Sequence, residues 1–505
     1  MAASEAGAAK RPAADPSMAP VLRLGIAAHT IAVACATTPS ARGSVHEQVR
    51  ELYLEGGSGI DPQFFDAPVD HFDHTQSSTF AMRYWVDDSF WNGATPIVLL
   101  AMGGEGASGP PGGQMAEFAR EWGALQLSIE HRFYGESSPA RGYGELRLLG
   151  VEQALADAAA FVRFATGALR IPAGARWITF GGSYSGELAA WMRIRYPHLV
   201  YGAFASSAPV TASADFWGYD GIVAAALADA SVGGSAACAE AVADAFAQLD
   251  ARLDSDVAAV RADFAVCAGD DLASAGDRHE LLDFVSDDFM GPVQYNDFEN
   301  GAESKVGALC RAMLNATAGA EPYDRLASVT RARLAPGECV SASWAGLIAE
   351  MRDPTYAGRA WPWQMCADGS GHDQTCHEHA NCPFIPRYAT FAQFQQMCFE
   401  AYNTTNATMS AALAANSAAF GDNSTLGVSR VIFINGDNDP FSWGSVTVNS
   451  TAALERDVVA LVARAGSHCA DMGASSDYDT PSMAAVKQAK AAYFAKWATE
   501  PEGGF

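Results

Sequence analysis

Basic residues are in short supply along this chain. Lys and Arg number 32 against 58 Asp and Glu, which leaves a formal charge of -26 at pH 7. Nucleic acid binding needs a cationic surface to displace counterions, so that class of partner is excluded, and anionic lipid is disfavoured on the same ground. No apolar run is long enough to span a bilayer comfortably, so no membrane partner is expected. Internal repeats are missing, and so are long low-complexity linkers after residue 40. Zinc-type spacing is missing too. The stretch "CADGSGHDQTCHEHANC" crowds Cys366, His372, Cys376, His377, His379 and Cys382 together, but it holds neither C-x2-C nor H-x3-H. We therefore expect no metal and no cofactor. Charged residues make up only 18% and apolar ones 49%, which supports a large core and excludes wholesale disorder.

Cysteine is present but confined. Of ten cysteines, all but Cys35 and Cys469 fall between Cys238 and Cys398. An even set packed into one third of the chain reads as a disulfide framework made in an oxidising compartment. From Met18, "MAPVLRLGIAAHTIAVACATTPSARG" has the basic start, apolar run and small-residue "ACA" of a secretory signal, so residues 1–36 are expected to be a signal peptide or N-terminal extension. N-x-[S/T] sequons at Asn315, Asn403, Asn406, Asn423 and Asn449 are expected glycosylation sites on that route, which ends outside the cell or in a lysosome or vacuole.

Short continuous apolar runs, "PIVLLAM", "ALQLSIEHRFYG", "RWITFGG" and "YGAFASSAPV", alternate with helical periodicity in "GVEQALADAAAFVRFATGALR". Such runs indicate a parallel sheet covered on both faces. The alternation stops near Thr211, and an Ala-rich, mostly helical pattern takes over. A strand pattern returns at "SRVIFINGDNDPFSW", followed by expected helices in "ALERDVVALVARAGSHC" and "SMAAVKQAKAAYFAKWATE". The implied organisation is an α/β core over 50–210 and 401–505, interrupted by a helical insertion over 211–400.

"TFGGSYSGELAAWMRIRYP" places Gly-x-Ser-x between a strand and a helix. This is the nucleophile elbow of α/β-hydrolases, where only tiny neighbours tolerate the strained serine. Gly181 and Ser185 flank Ser183 at those positions. The turn aims the Ser183 hydroxyl above the sheet, and the Tyr184 N–H can face a developing oxyanion. Ser185 suits the nucleophile role poorly, because Ser183 rather than glycine precedes it by two. In this fold the acid and then the histidine follow the serine. His468 is the only histidine beyond "NGDNDPF", whose Asp437 and Asp439 both qualify as the acid.

"GGSYSGELAAWMRIRYPHLV", "EHRFYGES", "NGDNDPF" and "GSHCADM" resemble the serine carboxypeptidase family that contains lysosomal Pro-X carboxypeptidase, dipeptidyl-peptidase II and thymus-specific serine protease. The likeness covers roughly residues 60 to 495, and "GGEGASGP", "WPWQMC" and "GSHC" lie nearest the thymus-specific branch. It implies an α/β-hydrolase core with an inserted, disulfide-bonded helical cap (SKS-type). It implies Ser183 as nucleophile, Asp439 rather than Asp437 as acid, and His468 as base. A second oxyanion donor is expected at Gly104 or Glu105. The implied bridges are Cys238–Cys382, Cys267–Cys339, Cys310–Cys366 and Cys376–Cys398. Peptide substrates follow, with cleavage next to proline by an exopeptidase, and a homodimer is among the implied states.

An apolar seat for a proline ring is expected from Trp361, Trp363, Met365 and Trp443, and Glu105 is a candidate clamp for a terminal amine. Glu130 and Arg132 read as a structural pair and Cys469 as a buried free thiol. Two competing classes use the same residues: a lipase or esterase with this triad, and a silent binding protein on a hydrolase fold.

Overall fold

The computed structural model describes residues 59–500, except 141, 297–302, 374–381, 385–386, 389 and 451–456. The expected signal peptide, Cys376, His377 and His379 lie outside the described residues. Eight strands form one sheet in the order β1-β2-β4-β3-β5-β6-β7-β8. They are β1 (Gln63–Pro68), β2 (Thr79–Asp87), β3 (Ile97–Ala101), β4 (Leu125–Ile129), β5 (Arg176–Gly182), β6 (Val200–Ser206), β7 (Val431–Gly436) and β8 (Val458–Ala463). β1, β2 and β4 pair antiparallel, and from β4 onward every pairing is parallel. The sheet is therefore mixed, not wholly parallel.

The apolar runs work because both faces of the sheet are covered. Side chains alternate along β3: Val98 and Leu100 face one way, Ile97 and Leu99 the other. The first face meets α2 (Val151–Ala168) and α3 (Tyr184–Arg195), through Leu155, Phe161, Leu188 and Trp191. The second meets α1 (Gly113–Trp122) and α14 (Pro481–Thr499), where Phe118 and Phe494 stack at 4.8 Å. Of the expected α2 stripe, Phe164 stays partly exposed, stacked on Phe65 at 5.5 Å.

The expected helix across "ALERDVVALVARAGSHC" is corrected. Val458–Ala463 is a strand, paired parallel with β7 over Val431 to Gly436. Its β-branched Val458, Val459 and Val462 suit a pleated edge, and pairing with β7 outweighs the helical spacing.

Between β6 and β7 the described elements are helical. They are α4 (Gly218–Ala228), α5 (Ala236–Ser255), α6 (Val257–Asp263), α7 (Ala275–Gln294), α8 (Lys305–Met313), α9 (Pro322–Arg333), α10 (Trp344–Arg352), α11 (Ala360–Ala367), α12 (Phe391–Tyr402) and α13 (Asn406–Phe420). Side-chain caps begin several of them: Ser235, Ser274, Ser304, Ser343, Thr390 and Thr405 each accept a backbone N–H. α4 to α9 surround one apolar centre, and α10 to α13 contribute to a second.

Of the four implied bridges only Cys267–Cys339 is present. Cys238 joins Cys310, not Cys382, and Cys366 joins Cys398, so the implied Cys310–Cys366 and Cys376–Cys398 bridges are overturned as well. The reason is local packing. α5 and α8 share the first apolar centre, and α11 and α12 share the second, which brings the paired Cα atoms to 5.2 and 5.4 Å. Cys382 is disulfide-bonded too.

Candidate active site

β5 runs straight into Ser183, which has φ 58° and ψ -133° and stands at the N-terminus of α3. A side chain on Gly181 would put its Cβ 1.9 Å from the Ser185 carbonyl oxygen, so the turn closes only with glycine there. The Ser185 hydroxyl donates to the Gly182 carbonyl at 2.8 Å and accepts the Gly182 N–H at 3.0 Å. It serves the turn, and Ser183 is the hydroxyl displayed at its apex. Ser183 is anchored by its own N–H, which donates to the Ser206 carbonyl at 2.9 Å.

The two aspartates beyond β7 separate cleanly. Asp437 is exposed and accepts the Ala465 N–H at 2.6 Å, bracing the turn. Asp439 is buried, and its Oδ1 lies 2.9 Å from His468 Nδ1 while accepting the Phe441 N–H at 3.0 Å. His468 Nε2 is buried and makes no hydrogen bond. Burial disfavours the imidazolium, but the Asp439 carboxylate and the neighbouring Cys469 together outweigh it and hold His468 well above the ordinary histidine value. The chain next to the serine touches the chain next to the histidine: a Cβ on Gly182 would lie 2.7 Å from Cys469 Sγ. The Cys469 N–H in turn donates to the Ser207 hydroxyl at 2.8 Å, beside the carbonyl that anchors Ser183. Cys469 is a buried free thiol.

The loop after β3 lies against the start of α3, since a Cβ on Gly104 would sit 3.3 Å from Ser185 Cβ. Gly104, Glu105 and Ser185 border one cavity. The Tyr184 side chain points away into the cap. Its hydroxyl meets His131 Nε2 at 3.1 Å and accepts from Gln364 Nε2 at 2.9 Å, and Gln364 accepts from Tyr134 at 2.5 Å.

The four expected apolar contacts scatter. Trp361 packs on the Tyr184 ring at 5.4 Å. Trp443 meets Phe216 edge-on at 4.8 Å, and Phe216 neighbours Phe441, whose ring lies 4.8 Å from His468. Met365 is buried in the α10–α13 centre, and Trp363 packs against the Phe133 and Leu146 cluster. Glu130 and Arg132 do not pair with each other. Glu130 binds Arg83, with Arg83 Nε 2.8 Å from Oε2, and Arg132 binds Asp157 on α2 with Nε 2.6 Å from Oδ2. The strand ends at Ile129, so both residues lie in the loop beyond it, where strand periodicity no longer sets side-chain direction.

Sequence reading missed Glu187, His372 and Gln364. Glu187 offered a signal, as a charged residue four beyond the serine in an otherwise small and apolar helix start. His372 stood in the stretch read for zinc and Gln364 inside "WPWQMC", but neither signalled a partner on α3, because those partners lie 185 and 180 residues away. His372 Nε2 meets Glu187 Oε1 at 3.1 Å, and Cys366 is held in a disulfide.

Residues 67–490 match the family model described as serine carboxypeptidase S28. The thymus-specific serine protease of Homo sapiens is 36% identical, with 86% of this chain and 87% of that protein covered. Its Mus musculus counterpart is 35% identical, with 86% and 87% covered. The lysosomal Pro-X carboxypeptidase of Bos taurus is 26% identical, with 87% and 88% covered.

Proposed function

This chain belongs to the serine carboxypeptidase S28 family, and from that premise we propose that it is an exopeptidase cleaving peptides next to proline through Ser183, Asp439 and His468. The observation that carries the reading is the buried Asp439–His468 hydrogen bond of 2.9 Å, on a chain whose Cys469 packs against Gly182, next in sequence to a serine held at φ 58° on its elbow.

Asp439 accepts the Nδ1 proton of His468, which leaves Nε2 as the lone pair that takes the Ser183 proton. The serine oxygen adds to the scissile carbonyl carbon. Negative charge collects on the carbonyl oxygen, where the Tyr184 N–H and an N–H of Gly104 or Glu105 stabilise it. Collapse breaks the C–N bond, and His468 hands its proton to the departing amine. Water then attacks the acyl-enzyme, giving its proton to His468, and the serine oxygen leaves with that proton restored.

The name of the bovine relative points to proline. The partly buried Trp443, linked through Phe216 and Phe441 to His468, and Trp361, on the Tyr184 ring, are the apolar side chains that support that reading. The helical insertion over 211–400 is the cap in this reading, and its tie to Tyr184 through Gln364 supports that placement. Export to a lysosome or vacuole, or out of the cell, fits the disulfides and the exposed Asn315, Asn403, Asn406 and Asn449, while Asn423 is half-buried. Among the described residues no helix is long and apolar enough to cross a membrane.

A fluorophosphonate probe should label Ser183 and nothing else, and Ser183→Ala should lower turnover of an X-Pro reporter peptide by about a millionfold. Fatty-acid p-nitrophenyl esters should be poor substrates. Efficient ester cleavage without peptide cleavage, or a folded protein that takes no label, overturns the proposal.

A further inference from the structure

Glu187 sits one helical turn beyond Ser183, its N–H donating to the Ser183 carbonyl at 3.1 Å. Helical side chains lean toward the N-terminus, so from one turn inside α3 the Glu187 carboxyl is directed back toward the end that carries the serine. It is 1% exposed. Oε1 meets His372 Nε2 at 3.1 Å, while Oε2 is buried without any hydrogen-bond partner. A buried carboxyl oxygen left open is costly unless something comes to fill it.

Proton counting sharpens the point. His372 Nδ1 lies 3.0 Å from the Ser213 carbonyl, which can only accept, so Nδ1 carries a hydrogen. The contact on the other ring nitrogen then holds one proton between ring and carboxyl. Burial lowers His372 to about 4 and pushes Glu187 well above the usual carboxylate range, with Glu105 and Asp368 adding to the latter. The proton therefore rests on Glu187, and Oε2 is a pure acceptor. The pair is joined to the catalytic histidine by one aromatic wall: His372 packs on Phe216 at 4.5 Å, Phe216 on Phe441, and Phe441 on His468.

We infer that Glu187, held by His372, is a specificity-determining residue that accepts a protonated amine carried by the substrate on the acyl side of the scissile bond; this rests on Ser183 being the nucleophile. His468 must reach the departing amine, so the leaving side lies toward its loop. Glu187 rides on the serine's own helix, and we assign it to the other side. An arriving ammonium makes the shared proton move to His372 and leaves a carboxylate facing the cation. The amine has two sources, a lysine or arginine side chain next to the scissile bond or the free end of a short peptide.

Two pairs of reporter peptides separate them: acetyl-Ala-Lys against acetyl-Ala-norleucine, and Ala-Pro against acetyl-Ala-Pro. In at least one pair kcat/KM should favour the amine by roughly ten- to a hundredfold. Glu187→Gln keeps an N–H for His372 and an oxygen for the site but cannot become an anion. It should cut that preference to about threefold or less in a variant that still takes the fluorophosphonate label at Ser183. If the glutamine variant loses its thermal transition, Glu187→Met gives the same reading with the volume filled. No preference in either pair for a wild-type enzyme that labels overturns this inference alone, as does a preference that survives both variants. A wild-type enzyme that fails to label overturns the serine peptidase reading and this inference together.

Discussion

His468 shows two opposed effects on one side chain. Burial works against the imidazolium, and the Asp439 carboxylate at 2.9 Å, with Cys469 adding to it, more than offsets that cost. The base must be neutral to accept the serine proton, so a raised value moves the rising limb of the pH–rate profile to higher pH. Replacing Asp439 by Asn should drop kcat by about ten-thousandfold and shift that limb of kcat/KM to lower pH. A limb that stays in place would mean that Asp439 does not set the histidine's proton affinity. These residues were legible in the sequence because each is marked locally: glycines around Ser183, Asp-Pro at Asp439, and a lone histidine downstream of the last expected acid. Glu187 was half legible. Its partner His372 was not, because 185 residues separate them and only the folded cap unites them.

At the scale of elements, the start of α3 is held from two sides. The elbow fixes its start, and the cap helix α11 fixes Tyr184 through Gln364, which also accepts from Tyr134. Tyr184 supplies the proposed oxyanion N–H, so Gln364 acts as a positioning residue that never touches substrate. Gln364→Leu keeps the volume and removes both hydrogen bonds. We expect about a tenfold loss in kcat, within the range for weakening one oxyanion donor, with KM changed little. A rise in KM with unchanged kcat would show that the tie shapes binding instead.

The buried strands from β3 to β7 were readable because four or more consecutive apolar residues need cover on both faces. β8 was not, since apolar residues three and four apart in "DVVALVARAG" also fit a helix, and only pairing with β7 decides. The bridges were misread for a related reason. Cysteine spacing does not say which helices pack together, and α5 with α8 and α11 with α12 do so here.

Across the whole molecule, buried acids and imidazoles set a pH at which the fold is best held. Burial, with Asp283 adding, pushes Asp220 up to about 7, and burial raises Asp288 to about 6 despite Arg333. Each contributes stability that is complete below the unfolded carboxylate value and is lost as pH rises through 6 and 7. Burial lowers His131 to about 4, so its contribution is present above the unfolded value near 6.5 and lost as pH falls toward 4. The Glu187–His372 pair holds one proton when folded. Unfolded, it holds about two below pH 4 and none well above 6.5, so it favours the interval between.

Between pH 5 and 8 the contributions of Asp220, Asp288 and the pair weaken, as do those of Asp368, raised by burial to about 6, and of His468. That of His131 strengthens only up to about 6.5. Each unit of pKa difference is worth about 1.4 kcal/mol. The net charge of -26 adds self-repulsion on the alkaline side. The melting temperature should therefore be several degrees higher at pH 5 than at pH 8. Asp220→Asn should narrow that gap by raising the value at pH 8, where the wild-type carboxyl must ionise in the core, and should leave the value at pH 4 nearly unchanged. A wild-type protein most stable at pH 8 would show that these buried acids find solvent or counterions in the folded state.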